Sequence, residues 1–313
     1  MEIKGILVTI VAPMSDHVAN GGEKVLGNAS SIKRRPDGRV YISGQMQRHA
    51  LFSAIERLNL SDDNRAATYV SNGDGITTVI ENDLRADLGG FLQTSKESYS
   101  GRRTAPISAT PAVAIKESET GRDLLIRLKV NQDKASTREQ ALATREYSQE
   151  DAMLMNFFID TGTVGIRKKF TYENELHLQT HYVKHISGAE RLRRVRLALE
   201  ATSCLTDYAQ QARSATSGEP QKVLIVFDSR LSRKAARFFK DTTTETERAN
   251  ILRELDARGA TYYLGDDTSA DGDSVFEAYK KADDFLSSGD NKLFDPDPQN
   301  TQLVSTADFE KQV

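Results

Sequence analysis

Residues 41–59 read Tyr-Ile-Ser-Gly-Gln-Met-Gln-Arg-His-Ala-Leu-Phe-Ser-Ala-Ile-Glu-Arg-Leu-Asn. Tyr41 and Ile42 suit a short extended piece, and Ser43 is a natural N-cap. Met46, Ala50, Leu51, Ala54, Ile55 and Leu58 then fall on one arc at about 100° per residue. The stretch predicts a helix over 44–59, entered from a strand and apolar on one face. Upstream, Ile3–Val11 (IKGILVTIV) is β-branched and apolar enough for a strand buried on both sides. The polar residues 13–39 between them, with Gly21-Gly22, Asn28 and Pro36-Asp37-Gly38, are too long for a simple connection.

Working downstream, 61–105 reads as a second insertion, broken by Asn72-Gly73-Asp74-Gly75 and Gly89-Gly90. Strands are expected at 107–115 and 123–130 around a turn at Glu119-Thr120-Gly121. A third insertion, 131–150, precedes the apolar run Met153–Ile159. A second helix is expected over 189–213, then a break at Ser214–Pro220, a buried strand at Val223–Phe227, a helical stretch over 231–257 and a strand at 261–264. The core elements follow the β-α-β-β-α-β order of the ferredoxin-like and RRM plan. The expected fold is therefore α+β, with residues 1–264 as a core carrying large insertions. Residues 265–313 are expected as an acidic, partly disordered tail.

The apolar share is 38%, the charged share 28%, and mean hydropathy is −0.52. No run approaches the ~18–20 apolar residues of a membrane span. The first residues lack the pattern of a signal peptide, so a cytoplasmic protein with no membrane partner is expected. The single cysteine, Cys204, forbids an intrachain disulfide and a Cys-based zinc site. Net charge is −3, but it is segregated. Residues 264–300 carry ten acids against three lysines, −7, leaving +4 for the remainder. The cations come in knots: Lys33-Arg34-Arg35, Arg102-Arg103, Arg167-Lys168-Lys169, and Arg191, Arg193, Arg194 and Arg196. Such knots can hold a phosphate backbone, or can simply be solvated surface.

No phosphate loop, dinucleotide fingerprint, nucleophile elbow or HExxH motif is present. His177, His181 and His185 are four apart and share a face, which leaves metal ligation, acid–base chemistry and a solvated strand face all open. Asp16-His17, in the first long loop, could be a hydrolytic pair or ordinary turn chemistry. The strongest constellation is the start of the helix at 44. A helix N-terminus offers free N–H groups and the positive end of the dipole. Ser43, Gln45, Arg48 and His49 surround it with hydroxyl, amide and cationic donors. None of these reads a base, so the set would grip a nucleic-acid backbone irrespective of sequence.

Tyr41–Phe52 also resembles the helix start of the backbone subunit of the CRISPR Cascade complex, most closely its DevR-type branch. Arg102-Arg103-Thr104-Ala105-Pro106-Ile107-Ser108-Ala109-Thr110-Pro111-Ala112-Val113-Ala114 is similar to a second block of that branch, and Asp83–Leu92 to the segment before it. The likeness covers residues 1–115; beyond them it is one of layout. It implies a hand-shaped protein of type I, subtype I-B, with an RRM-like palm and insertions forming fingers, web and thumb. Copies would stack along CRISPR RNA with other Cascade subunits and present it to a target DNA strand, with no catalysis, cofactor or metal. The implied guide contacts are Ser43, Gln45, Arg48 and His49, joined by Arg102 and Arg103. Lys33, Arg34, Arg35, Lys168 and Lys169 complete the candidate RNA-binding set. Where many type I relatives carry two adjacent cations, this chain has Arg48-His49. It lacks the GRRGG-like motif of the RNA-processing subunit. The competing functions are an endoribonuclease of the same fold superfamily and a generic single-strand binder; the scarcity of aromatics (7%, no Trp) weakens the second.

Overall fold

A computed structural model describes residues 1–25, 29–75, 77–93, 101–130 and 138–311. Parts of the three expected insertions, including Asn28 and residues 94–100 and 131–137, lie outside the described residues.

The first apolar run forms β1 (Gly5–His17), longer than expected because Ala12 and Met14 continue the inward alternation of Ile6, Val8 and Ile10, and pairing with the next long strand runs on to a buried His17. The helix α1 (Gly44–Leu60) follows, then a short helix α2 (Leu84–Gly89). The stretch 107–115 forms two short strands, β2 (Ile107–Ala109) and β3 (Ala112–Ala114), interrupted at Thr110-Pro111. Next come β4 (Thr120–Val130) and the long β5 (Arg138–Asp160). A two-stranded hairpin, β6 (Ile166–Glu173) and β7 (Leu176–Lys184), leads to α3 (Gly188–Ala201). The chain closes with β8 (Lys222–Asp228), α4 (Glu245–Ala257), β9 (Thr261–Asp266), α5 (Val275–Ser287) and α6 (Thr306–Glu310).

In the palm sheet β8 pairs with β1, β1 with β5, and β5 with β2 and β3, every pairing antiparallel. The spatial order is thus fourth, first, third, second: the ferredoxin-like arrangement expected from the element order, with β9 added beside β8. Alternation along the strands sends Ile6, Val8, Ile10, Met155, Phe157, Ile225 and Phe227 to the face covered by α1, α3 and α5. Leu7, Phe158, Leu224 and Val226 pack on the opposite face against Phe238, Ile251 and Leu255. Burying each such Leu, Ile or Phe contributes about 1.5–3 kcal/mol, so the two cores fix the sheet between them.

Several expected boundaries move. The third strand of the palm is not 123–130 but the distal part of β5, from Ser148 to Asp160 against β1. Residues 138–148 instead pair with β4 as a ribbon leading away from the palm, so 138–150 are strand rather than irregular insertion. The second helix ends at Ala201, not 213. Thr202 and Ser203 donate their hydroxyls back to Leu199 O and Glu200 O, competing with the helix. The chain then turns so that Leu205 and Tyr208 reach the core. The stretch 231–257 splits into a short 3-10 turn at Lys234–Arg237 and α4, which starts at a Thr244–Glu247 capping box.

The acidic tail carries regular elements among its described residues. Asp and Glu dominate its composition, yet Val275, Ala278, Ala282 and Leu286 line one side of α5 and are buried. Lys292–Leu293 pairs in parallel with Glu2–Ile3, and Leu303 bridges to Lys184. The tail expected over 265–313 as acidic and partly disordered thus contains, within its described residues, a helix with a complete apolar stripe that the polar composition hides. No helix among the described residues is long and apolar enough to cross a membrane.

Candidate nucleic-acid interface

The α1 start is built as its sequence indicates. Ser43 Oγ accepts from Met46 N at 3.2 Å, and Ser43 O accepts from Gln47 N at 3.0 Å. Asn20 Oδ1 holds the Ser43 amide at 2.9 Å, tying the cap to the loop after β1. Among the described residues, no hydrogen bond takes the amides of Gly44 and Gln45. There is no acid in the first turn, so nothing opposes an incoming anion there. A Cβ on Gly44 would sit 3.2 Å from Ala109 O, which shows how closely this helix end approaches the Thr110-Pro111 corner of the sheet. Ser43→Ala should lower stability by about 1 kcal/mol, measured by urea unfolding; an unchanged midpoint would show that the cap is replaceable.

Gln45 is exposed at this end. Arg48 is half-buried, its guanidinium donating to Gly89 O at the end of α2 and lying 6.0 Å from the Phe52 ring. Burial lowers its pKa without threatening its charge. His49 faces Asp207 at 3.1 Å, and Ser53 Oγ donates to the same carboxylate at 2.6 Å. With Arg57 donating to Cys204 O and Thr206 Oγ1, this side of α1 holds the turn that ends α3. His49 is therefore a link between helix and turn, and the adjacent-cation position it occupies is already matched by a carboxylate.

The other knots divide. The Pro36-Asp37-Gly38 turn closes a narrow loop in which Arg35 N donates to Arg39 O and Gly38 takes φ +79°. That turn leaves Arg35 exposed; Lys33 is half-buried, and Arg34 donates to Thr120 Oγ1 at the base of β4. Arg102 and Lys168 are exposed and Lys169 is half-exposed.

Arg103 is a correction. It is buried, donating to Asp87, to Thr163 O at 2.7 Å and to Ile166 O at 2.8 Å, so its guanidinium is taken up within the protein. Arg194, fully buried, meets the other oxygen of Asp87 at 2.7 Å and also donates to Ile80 O and Glu81 O. Gly165 N adds a third donor to Asp87 at 2.9 Å. Burial pushes the Asp87 carboxyl up, but the two guanidiniums and the amide outweigh it and hold the pKa below the usual range. Arg191 is buried on the carbonyls of Thr161, Val164 and Phe294. Arg193 is held by Glu190 and Asp62, and Arg196 by Asp283. All four arginines of the knot on α3 therefore have partners within the protein.

The histidine readings also resolve. Asp16 and His17 lie at the end of β1, not in a loop, and point apart. Asp16 is exposed in the left-handed region, φ +48°. His17 is fully buried, with Nε2 2.8 Å from Asp151 Oδ2 and Nδ1 accepting from Ala19 N. Ser118 Oγ donates to the other Asp151 oxygen, so the carboxylate sits between serine and histidine and orients no nucleophile. Of the three spaced histidines, His177 and His181 are on the exposed hairpin, whose register shifts at Thr171/Tyr172. His185 lies beyond it, buried edge-on to Phe309 at 5.6 Å. Burial, with help from Arg167 and Arg103, lowers its pKa to about 4, so it is neutral. The three imidazoles do not converge.

Sequence reasoning missed Asp87, whose role depends on partners far along the chain. It also passed over the basic residues Arg233, Lys234, Arg237 and Lys240, whose spacing of one to three residues was available as a signal.

A ferredoxin-like palm, an anion-suited helix end at its edge and two antiparallel ribbons define the class: an RRM-like scaffold suited to a nucleic-acid backbone. The chain belongs to the CRISPR-associated family described as negative auto-regulator DevR/Csa2, whose model matches residues 17–231. No curated protein sequence matches it. Its fold is similar to that of a chain of a CRISPR RNA-guided surveillance complex, with a TM-score of 0.55 at 12% identity over 90% of this chain and 98% of that one. A chain of such a complex in a pre-nicking state gives 0.52 at 12% identity, over 90% and 99%.

Proposed function

We propose that the protein is a non-catalytic backbone subunit of a type I CRISPR effector. It oligomerises along CRISPR RNA and presents the guide for pairing with target DNA. The observation that carries this reading is the family match, which runs through the α1 start and the 102–114 block. The proposed guide contacts are the outward amides of Gly44 and Gln45, the side chains of Ser43, Gln45 and Arg48, and three exposed members of the knots, Arg35, Arg102 and Lys168. Sequence would be read by guide–target pairing, since these groups address phosphate.

Sequencing the RNA that copurifies with the tagged protein tests the reading. Repeat-derived guides are expected, and scattering of the complex should show elongated multi-copy particles. Random transcripts in one-to-one complexes would refute it. The endoribonuclease alternative loses its best candidate, because His17 is buried on Asp151 and unavailable to RNA. Asp16→Ala should accordingly leave bound guide and target RNA at full length, as in the wild type. Wild-type cleavage abolished by this change would restore the nuclease reading.

A further inference from the structure

On the sheet face opposite α1, a groove of about 640 Å³ runs between the 35–39 loop, β3, β5 and the segment after β8. Its rim carries Arg35, Arg39, Arg233, Lys234, Arg237 and Lys240, against Asp241 as the lining acid. Two of the six are matched by carboxylates: Arg39 by Asp37 at 2.6 Å, and Lys234 by Glu254. Arg233 lies 4.3 Å from the Phe158 ring and makes no ion pair among the described residues. Arg35, Arg237 and Lys240 are exposed and make no ion pair among the described residues.

The floor is Val113, Leu154 and Pro111, with Asn156 and Thr110 hydrogen-bonded to one another. No aromatic ring lines it, so it offers no stacking platform for bases. Cations without an ion pair over a largely apolar floor, with no ring on which bases could stack, suit a phosphodiester backbone. The groove shares the Thr110-Pro111 corner with the N-terminus of α1. Its basic wall at 233–240 lies beyond the residues that match the family.

We infer that this groove is a second phosphate-binding track, which holds the backbone of a nucleic-acid strand passing the α1 end. The inference rests on the nucleic-acid reading above and extends it to a different face of the sheet. The strand is either the guide RNA or DNA drawn in by it; both present the same phosphodiester chemistry.

The test uses the full chain carrying Arg237→Glu and Lys240→Glu. Both side chains are exposed, and unchanged thermal unfolding would confirm an intact fold. Affinity is measured across a salt series for a labelled guide RNA on the protein. It is then measured for single-stranded and duplex target DNA on the guide-loaded assembly. If the groove carries guide, RNA affinity falls at least tenfold and the log–log salt slope flattens by roughly 1.4, about 0.7 per lost phosphate contact. If it carries DNA, RNA binding holds and target capture falls by the same measure. Arg237→Lys should bind as the wild type does.

Unchanged affinity and slope in every arm overturns the inference, and would be the result if the groove received a carboxylate-rich protein surface. Gln45→Ala combined with Arg48→Ala in the same assays separates the two readings. A loss there with no loss from the groove variant sinks the groove alone. No loss from either sinks the nucleic-acid reading itself.

Discussion

Asp87→Ala should destabilise the protein by about 3–5 kcal/mol, the usual cost of removing one partner from a buried ion pair. The substitution leaves Arg103 and Arg194 facing each other in the interior, with the Gly165 amide unpaired. Because those residues join α2, the start of β6 and α3, the loss should also loosen the base of the β6–β7 ribbon. Urea unfolding of Asp87→Ala measures it. A shift equivalent to less than about 1 kcal/mol, the range of an exposed pair, would show that water reaches the site. The same pair predicts acid sensitivity. A carboxylate whose folded pKa is depressed stabilises above its unfolded value of about 3.9, and that stability is lost as pH falls through the folded pKa. Wild type should therefore lose stability on acidification, and the Asp87→Ala variant should show a shallower dependence.

Arg48→Ala should weaken guide RNA binding by roughly ten- to a hundredfold, since a hydrogen bond to a charged group is worth about 1.5–3 kcal/mol. The loss should be nearly equal for unrelated guides, and the salt slope should flatten by about 0.7. Arg48 also holds the Gly89 carbonyl, so a modest drop in melting temperature should accompany the loss of affinity. Gln45→Ala, at an exposed position, should reduce affinity without that drop. Wild-type binding by Arg48→Ala, or a loss that depends on guide sequence, would remove Arg48 from the phosphate site.

The candidate site was legible where its geometry is local. The Ser43 cap, the helix that follows and the Pro36-Asp37-Gly38 turn each depend on residues within a few positions of one another. They stand where the sequence puts them. The arginines were not legible in the same way. Arg102 and Arg103 are adjacent, identical in composition and equally basic, yet one is exposed and the other buried on a carboxylate 16 residues upstream. Likewise the pairing of Asp16 with His17 is contiguous in sequence only. The histidine's real partner is Asp151, 134 residues away.

By itself, the sequence determined the order of the palm elements, the buried strand stretches within Ile3–Val11 and over Val223–Phe227, and the anion-suited start of α1. Hydrophobic periodicity and capping act over one or two turns, so no partner is needed to read them. Only the tertiary structure decided which basic residues remain available to a phosphate backbone. The charges of Arg103, Arg191 and Arg194 are consumed because the antiparallel order of the sheet brings Asp87 and the carbonyls of 161–166 against α3. The acidic tail was settled the same way: the apolar stripe of α5 becomes ordering energy only when the sheet and α3 stand there to cover it.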